Sequence, residues 1–170
     1  MTSESTTPES LVTPDMVERQ GQWSEPRSSY PIGQSDIRRW AIATYWPEKP
    51  PPVYWDEEYA RSTRWGGIIA PPDFNPFAWP VDRPMMGARP RPASGGANSG
   101  RRLRNMNGGQ TDTYGAPMRP GDVITSRSRL LDWEERDTRL GHTLFVFSEN
   151  EWRNQNDKLV RRRVSTAIRY

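Results

Sequence analysis

The apolar positions of this chain fall into two regimes. Up to about residue 80 they recur at helical spacing between Pro and Gly interruptions, and beyond about residue 103 they recur at strand spacing. Ile37, Trp40, Ala41 and Thr44 stand at i, i+3, i+4 and i+7, a stripe one face wide. This predicts a helix from Asp36 with Ser35 as its cap. It must stop by Trp46, because Pro47 and the run Pro50-Pro51-Pro52 cannot continue a helix. A second, short helix is predicted from Asp56 to Arg64, with Asp56-Glu57-Glu58 placing negative charge at its positive end and Gly66-Gly67 breaking it. Pro71-Pro72 opens a third predicted helix, Pro being tolerated in a first turn, with Phe74, Phe77 and Ala78 on its buried side. Ahead of these, Trp23 to Tyr30 alternates weakly and reads as a first strand or edge segment.

The second regime predicts four strands. Leu103 to Tyr114 contains Asn107-Gly108-Gly109-Gln110, and the Gly pair reads as a sheet bend or a point of close packing. Val123 to Trp133 follows the Arg119-Pro120-Gly121-Asp122 turn. Leu140 to Trp152 has an apolar middle, Leu144-Phe145-Val146-Phe147, that points both ways and so belongs in the centre of a sheet. After the hairpin turn Asn154-Gln155-Asn156-Asp157, Lys158 to Tyr170 sets Val160, Val164, Thr166 and Ile168 against Arg161, Arg163, Ser165 and Arg169, a half-buried strand with its arginines outward. Helices first and antiparallel strands afterwards make an α+β arrangement.

Residues 1–20 are rich in Ser, Thr, Glu and Pro and read as a disordered tail leading into a short helical or extended arm, which leaves 21–170 as a single domain. Between 80 and 100 the chain turns to Pro, Gly, Arg and Ser, with Met85 and Met86 as apolar residues, and reads as a long mobile loop.

At 170 residues the apolar fraction is only 33% and the mean hydropathy −0.94. Eight Trp, six Tyr and four Phe supply core mass that the aliphatic count understates. A thin core rich in aromatics fits a chain that completes its burial against another subunit. With no Cys and a single His, His142, disulfide frameworks, thiol nucleophiles and His- or Cys-based metal sites are excluded. His142, on a strand after Gly141, reads as structural or surface. No apolar run approaches the ~18 residues of a membrane span and the N-terminus is polar and acidic, so a cytoplasmic chain without a membrane span is expected. Net charge is +3, and no aromatic interleaves with arginines 83, 89, 91, 101, 102 and 104, so no nucleic-acid partner is expected.

The segment Pro52-Val53-Tyr54-Trp55-Asp56-Glu57-Glu58-Tyr59-Ala60 resembles the acid/base segment of MaoC-like (R)-specific enoyl-CoA hydratases and hydroxyacyl-thioester dehydratases: Gly-Asp-x-Asn-Pro-hydrophobic-His, then five residues, then Ala. Pro52, Val53, the spacer and Ala60 match. The Asp position holds Lys49, the Asn position Pro51 and the His position Tyr54. Gly67-x-Ile69-Ala70-Pro71-Pro72-x-Phe74, Asn107-Gly108-Gly109-Gln110, Arg119-Pro120-Gly121-Asp122-Val123-Ile124 and Glu151-x-Arg153-Asn154-Gln155 follow in the order found in the N-terminal MaoC-type dehydratase domain family. The resemblance runs from about Trp23 to Tyr170. It implies a hot-dog fold, a curved antiparallel sheet wrapped around a central helix that begins near Pro71-Pro72, with the thioester at a subunit or domain interface.

Hydration of an enoyl thioester needs one group to activate water and another to return a proton, and neither Lys49 nor Tyr54 is a good base at pH 7. Catalytic residues are therefore expected to be absent from this chain, unless a shifted register brings in Glu48. The resemblance implies the non-catalytic subunit of a heteromeric hydratase or dehydratase (a heterodimer or heterotetramer), paired with a hot-dog subunit that carries the Asp/His dyad. The ligand is then an acyl-CoA or acyl carrier protein thioester, with no further cofactor and no metal. Gly67, Ile68 and Pro72 are candidate substrate contacts, Gly67 by polarising the thioester carbonyl with its N–H. Arg101, Arg102 and Arg104 are candidates for the coenzyme phosphates. The alternative is a non-enzymatic hot-dog protein that binds an acyl-CoA or a protein partner.

Overall fold

In the computed structural model, residues 9–78 and 103–170 are described. The strand half of the chain forms one five-stranded sheet. β2 (Asn105–Tyr114), β3 (Ile124–Thr138), β4 (Gly141–Asn154) and β5 (Leu159–Arg169) are joined at one edge by the two-residue β1 (Arg27–Ser28), in the order β1-β3-β4-β5-β2. All neighbours are antiparallel. β4 lies in the middle, as its two-sided apolar stretch predicts, with Leu144 and Val146 buried on one face. The architecture is the hot-dog fold.

α1 (Pro14–Arg19) precedes β1, and α2 (Gln34–Tyr45) and α3 (Glu57–Ser62) lie between β1 and β2. The Ile37 stripe does form α2, and Ile37 and Ala41 are fully buried while Thr44 is exposed. Its cap is Gly33 rather than Ser35: the Gly33 carbonyl accepts from Asp36 and Ile37, so the helix begins two residues early. Asp56 caps α3, its carboxylate accepting from the Tyr59 N–H at 3.0 Å. The helix expected from Pro71-Pro72 is not formed over 71–78, where the chain makes successive turns; the rest of that expected helix, the loop at 80–100 and residues 1–8 lie outside the described residues.

Two buried clusters hold the structure. The larger joins Ile37 and Ala41 of α2 and Phe74 to Ile124, Trp152 and Val160 on the sheet. Trp40 meets Phe74 edge to face at 5.5 Å, and Phe77 meets Trp152 in the same way at 5.4 Å. The smaller joins Leu11 and Met16 of the N-terminal arm to Leu103, Leu144 and Val146. The arm is tied to β3 where Glu135 accepts from the Leu11 N–H and the Ser10 hydroxyl. His142 belongs to this fastening, with Nδ1 3.0 Å from Asp137 and Nε2 3.4 Å from Glu135.

The outer face of β3, β4 and β5 carries an ion-pair ladder. Arg127 and Arg153 hold Glu151, and Arg129 and Arg162 hold Glu149, both acids being buried by their partners. Trp23 lies under Arg127 and Arg129, 4.3 and 4.4 Å from the guanidinium carbons.

β5 departs from the predicted alternation. Trp152 pairs with Arg161 but Arg153 pairs with Leu159, so β5 carries one residue more than β4 at this point. This bulge brings Val160 to the face on which Arg161 already lies, and both are buried. Along the rest of β5, Arg161, Arg163, Ser165 and Arg169 pair with Trp152, Asn150, Ser148 and Leu144, on the face of the buried Leu144 and Trp152. Val164, Thr166 and Ile168 pair with Glu149, Phe147 and Phe145 on the other face, so the predicted sidedness of β5 is corrected for all but Val160.

Candidate functional site

The hydratase-like segment begins with a Pro run that locks the backbone. Pro51 leads into a single 3-10 turn, Pro52–Tyr54, and the Trp55 and Asp56 N–H groups both donate to the Pro52 carbonyl. Trp55 is pinned by its indole N–H on the Pro50 carbonyl at 3.0 Å. The turn drives Tyr54 inward beside Tyr45 of α2, with ring centroids 6.0 Å apart. Burial, and then the Tyr45 side chain, push the Tyr54 phenol up to about 12. Lys49 stays exposed, its ammonium over the Trp55 ring at 4.6 Å. Glu48 is exposed as well. The two dyad positions are thus held apart in character, one a solvated cation and the other a buried neutral phenol.

Tyr54 lines a cavity of about 250 Å³. Val53 and Trp65 border it on the helical side, and Ile69 to Pro72 form another wall. The wall is sutured to its neighbours by the Ala70 N–H on the Met118 carbonyl at 2.8 Å and the Ile69 N–H on the Val53 carbonyl. From the end of β2 and the loop after it come Tyr114 to Met118, and from β5 come Val160 and Arg161. Gly115 lies where β2 approaches β5 so closely that a Cβ would stand 2.2 Å from the Leu159 carbonyl oxygen.

Of the expected substrate contacts, Pro72 lines this cavity. Ile68 is buried in the core behind it. Gly67 makes the turn ahead of the wall, with Arg119 packed across it: a Cβ there would be 3.7 Å from the guanidinium, which donates to the Trp65 carbonyl at 2.6 Å. Arg104 is exposed and its backbone pairs with Tyr170. Arg101 and Arg102 lie outside the described residues.

Arg161 is the most deeply buried of the β5 residues that the alternation places outward. It is 7% exposed, and its guanidinium carbon lies 3.5 Å from the Trp152 ring centroid. Among the described residues its Nε has no hydrogen-bond partner and no carboxylate forms an ion pair with it. Burial, and then the neighbouring Arg163, lower its pKa from the usual guanidinium value. Arg163 satisfies itself on Asp112 through two hydrogen bonds. Because guanidinium groups keep their proton in proteins, Arg161 remains a cation beside an apolar cavity.

Among the described residues, no cluster of three or more His, Asp or Glu side chains is placed to hold a metal ion, and no helix is long and apolar enough to cross a membrane.

The family model described as "FAS1-like, dehydratase domain region" matches residues 19–163. The chain belongs to that family. No curated protein matches its sequence significantly. Solved structures do match its fold. The ChsH1-ChsH2 complex from Mycobacterium tuberculosis is similar with a TM-score of 0.69 at 20% identity, over 90% of this chain and 87% of the other. The C-terminally truncated HadBC complex from the same organism, a 3R-hydroxyacyl-ACP dehydratase, gives 0.59 at 18%, over 88% and 96%. The R-hydratase PhaJ1 from Pseudomonas aeruginosa in its unliganded form gives 0.53 at 19%, over 87% and 79%. One of these three is a dehydratase and another a hydratase, and two of the three are complexes of two named components.

Proposed function

We propose that this chain is the non-catalytic, substrate-shaping subunit of a heteromeric (R)-specific enoyl-CoA hydratase or 3-hydroxyacyl-thioester dehydratase, which adds water to, or removes it from, the C2–C3 bond of an acyl thioester. The observation that carries the reading is Tyr54. A phenol at about 12 in the His position is ionised to only about one part in 10⁵ at pH 7, too little for a general base. Lys49, solvated and stacked on Trp55, offers no carboxylate to activate water.

The proton transfers then fall to a second hot-dog subunit with an Asp/His dyad. This chain contributes a wall of the acyl pocket through Tyr54, Trp65, Pro72 and Met118. In the same reading the Gly67 N–H faces the thioester carbonyl, and Arg101, Arg102 and Arg104 face the coenzyme phosphates. The two-subunit neighbours support a heteromer, and the family match supports the reaction class.

The test is an assay of the purified chain with crotonyl-CoA and longer enoyl-CoA esters, alone and mixed with a dyad-carrying hot-dog subunit. Activity is expected only in the mixture. Robust turnover by the chain alone overturns the reading. A tight but inactive mixture that still binds acyl-CoA moves the assignment to a non-enzymatic binding protein.

A further inference from the structure

The Tyr54 cavity combines two features that a purely hydrocarbon pocket does not. Its walls are largely aliphatic and aromatic, yet each of its polar side chains can donate a hydrogen bond: the neutral Tyr54 phenol, the Tyr114 hydroxyl, the Trp65 indole and the Arg161 guanidinium. Taking a guanidinium out of water costs several kcal/mol unless an anion and hydrogen-bond acceptors replace the lost hydration. Here the replacement is partial. Trp152 balances some charge through its ring face at 3.5 Å, but that face supplies no oxygen lone pair, and Nε is left without a partner. The two acids that bear on Arg161 electrostatically act only from a distance: Asp112 is committed to Arg163, and Asp73 is exposed.

Five other arginines of β3, β4 and β5 show what completion looks like, while Arg169, half-buried, meets the Met16 sulfur at 3.9 Å. Arg127, Arg129, Arg153, Arg162 and Arg163 each have a carboxylate partner. Arg161 is the most buried of the set and has none among the described residues. A planar fork of N–H donors matches a carboxylate in shape and charge better than any neutral acceptor.

We propose that this cavity is a carboxylate-recognition site, taking a short apolar carboxylate with its head group on Arg161 and its body against Val53, Ile69, Met118 and Val160. The volume of about 250 Å³ is below the ~300–1,000 Å³ usual for whole ligands, so the occupant is a fragment of about a short acyl chain rather than a coenzyme. The site stands on this chain's own residues and does not require a catalytic partner. Where the hydratase reading also holds, the acyl thioesters selected are those with a free carboxylate at the far end of the acyl group.

The experiment is a titration of the full chain with hexanoate and with hexanamide, equal in shape but differing in charge, followed by tryptophan fluorescence and by NMR. Hexanoate is expected to bind about tenfold more tightly or better, a difference of about 1.4 kcal/mol. Arg161→Gln should remove the preference, and Arg161→Lys should keep part of it. Near-UV circular dichroism establishes that each variant is folded. If Arg161→Gln does not fold, Met118→Trp, which fills the apolar end without touching the cation, must abolish binding of both ligands. Equal binding of the two ligands, no binding of either, or a preference that survives Arg161→Gln overturns the assignment. Hydratase activity is not read, so failure of the subunit reading leaves this result intact.

Discussion

Gln155 donates to Asp122 across 2.8 Å, joining the β4–β5 turn to the turn that precedes β3. Two segments that resemble family motifs in the sequence, Arg119-Pro120-Gly121-Asp122 and Glu151-x-Arg153-Asn154-Gln155, are therefore halves of one structural device. The other Asp122 oxygen accepts from the Arg119 N–H at 2.8 Å, and its carbonyl accepts from Ile32. The residues are matched for architecture rather than for chemistry. Asp122→Ala should destabilise the chain by about 1–3 kcal/mol, because two donors lose a buried acceptor. Denaturant midpoints measure it, and an unchanged midpoint contradicts it.

Tyr54 makes stability depend on alkaline pH. Its phenol ionises near 10 in the unfolded chain and at about 12 in the fold, so between those values the unfolded state loses its proton first. The contribution is complete below pH 10 and disappears as pH rises toward 12. Tyr54→Phe should flatten that limb of the stability curve. In a reconstituted hydratase the same variant should leave the rate within a few-fold, since a spectator hydroxyl contributes little at the transition state.

Glu151 acts at the acid end. Hydrogen bonds from Arg153 and then Arg127 outweigh its burial and hold its carboxyl down at about 2, against 4.5 for the free group. Its contribution is complete above pH 4.5 and is lost as pH falls through about 2. Glu151→Gln should cost about 1–3 kcal/mol at pH 7 and nearly nothing at pH 2. Equal losses at both pH values would remove the ion pair as the cause.

Gly115→Ala probes the closest approach in the sheet. Its Cβ would meet the Leu159 carbonyl oxygen at 2.2 Å, and the backbone bonds from Gly115 and Ala116 to Val160 and Leu159 would have to yield. A loss of about 1–3 kcal/mol is expected, together with faster amide exchange at both positions.

Much of this fold is legible from spacing. The period of Ile37, Trp40 and Ala41 locates α2, and the doubly apolar Leu144 to Phe147 places β4 centrally, because a strand covered on both faces has no polar side to show. The start of α2 is less legible: Ser35 is a good cap in isolation, yet the Gly33 carbonyl takes up the free N–H groups first. Pro71-Pro72 suits a first helical turn equally well as the turns actually formed, so local preference does not separate them. The site is legible at Tyr54, whose neighbours keep a motif, and illegible at Arg161. Alternation separates the two faces of β5 but does not say which is covered, and Arg161, Arg163 and Arg169 pair with Trp152, Asn150 and Leu144 on the face that carries the core. Nothing in Lys158 to Arg163 announces that β4 will pair one residue short, a fact fixed by the partner strand.

The bulge at Val160 makes the cavity a matter of phase as well as composition. Deleting that residue would restore even pairing and leave Arg161 opposite Trp152, but the cavity would lose the aliphatic side chain beside the cation. At this point of β5 a change of length therefore reshapes the apolar wall of the cavity while the arginine keeps its place.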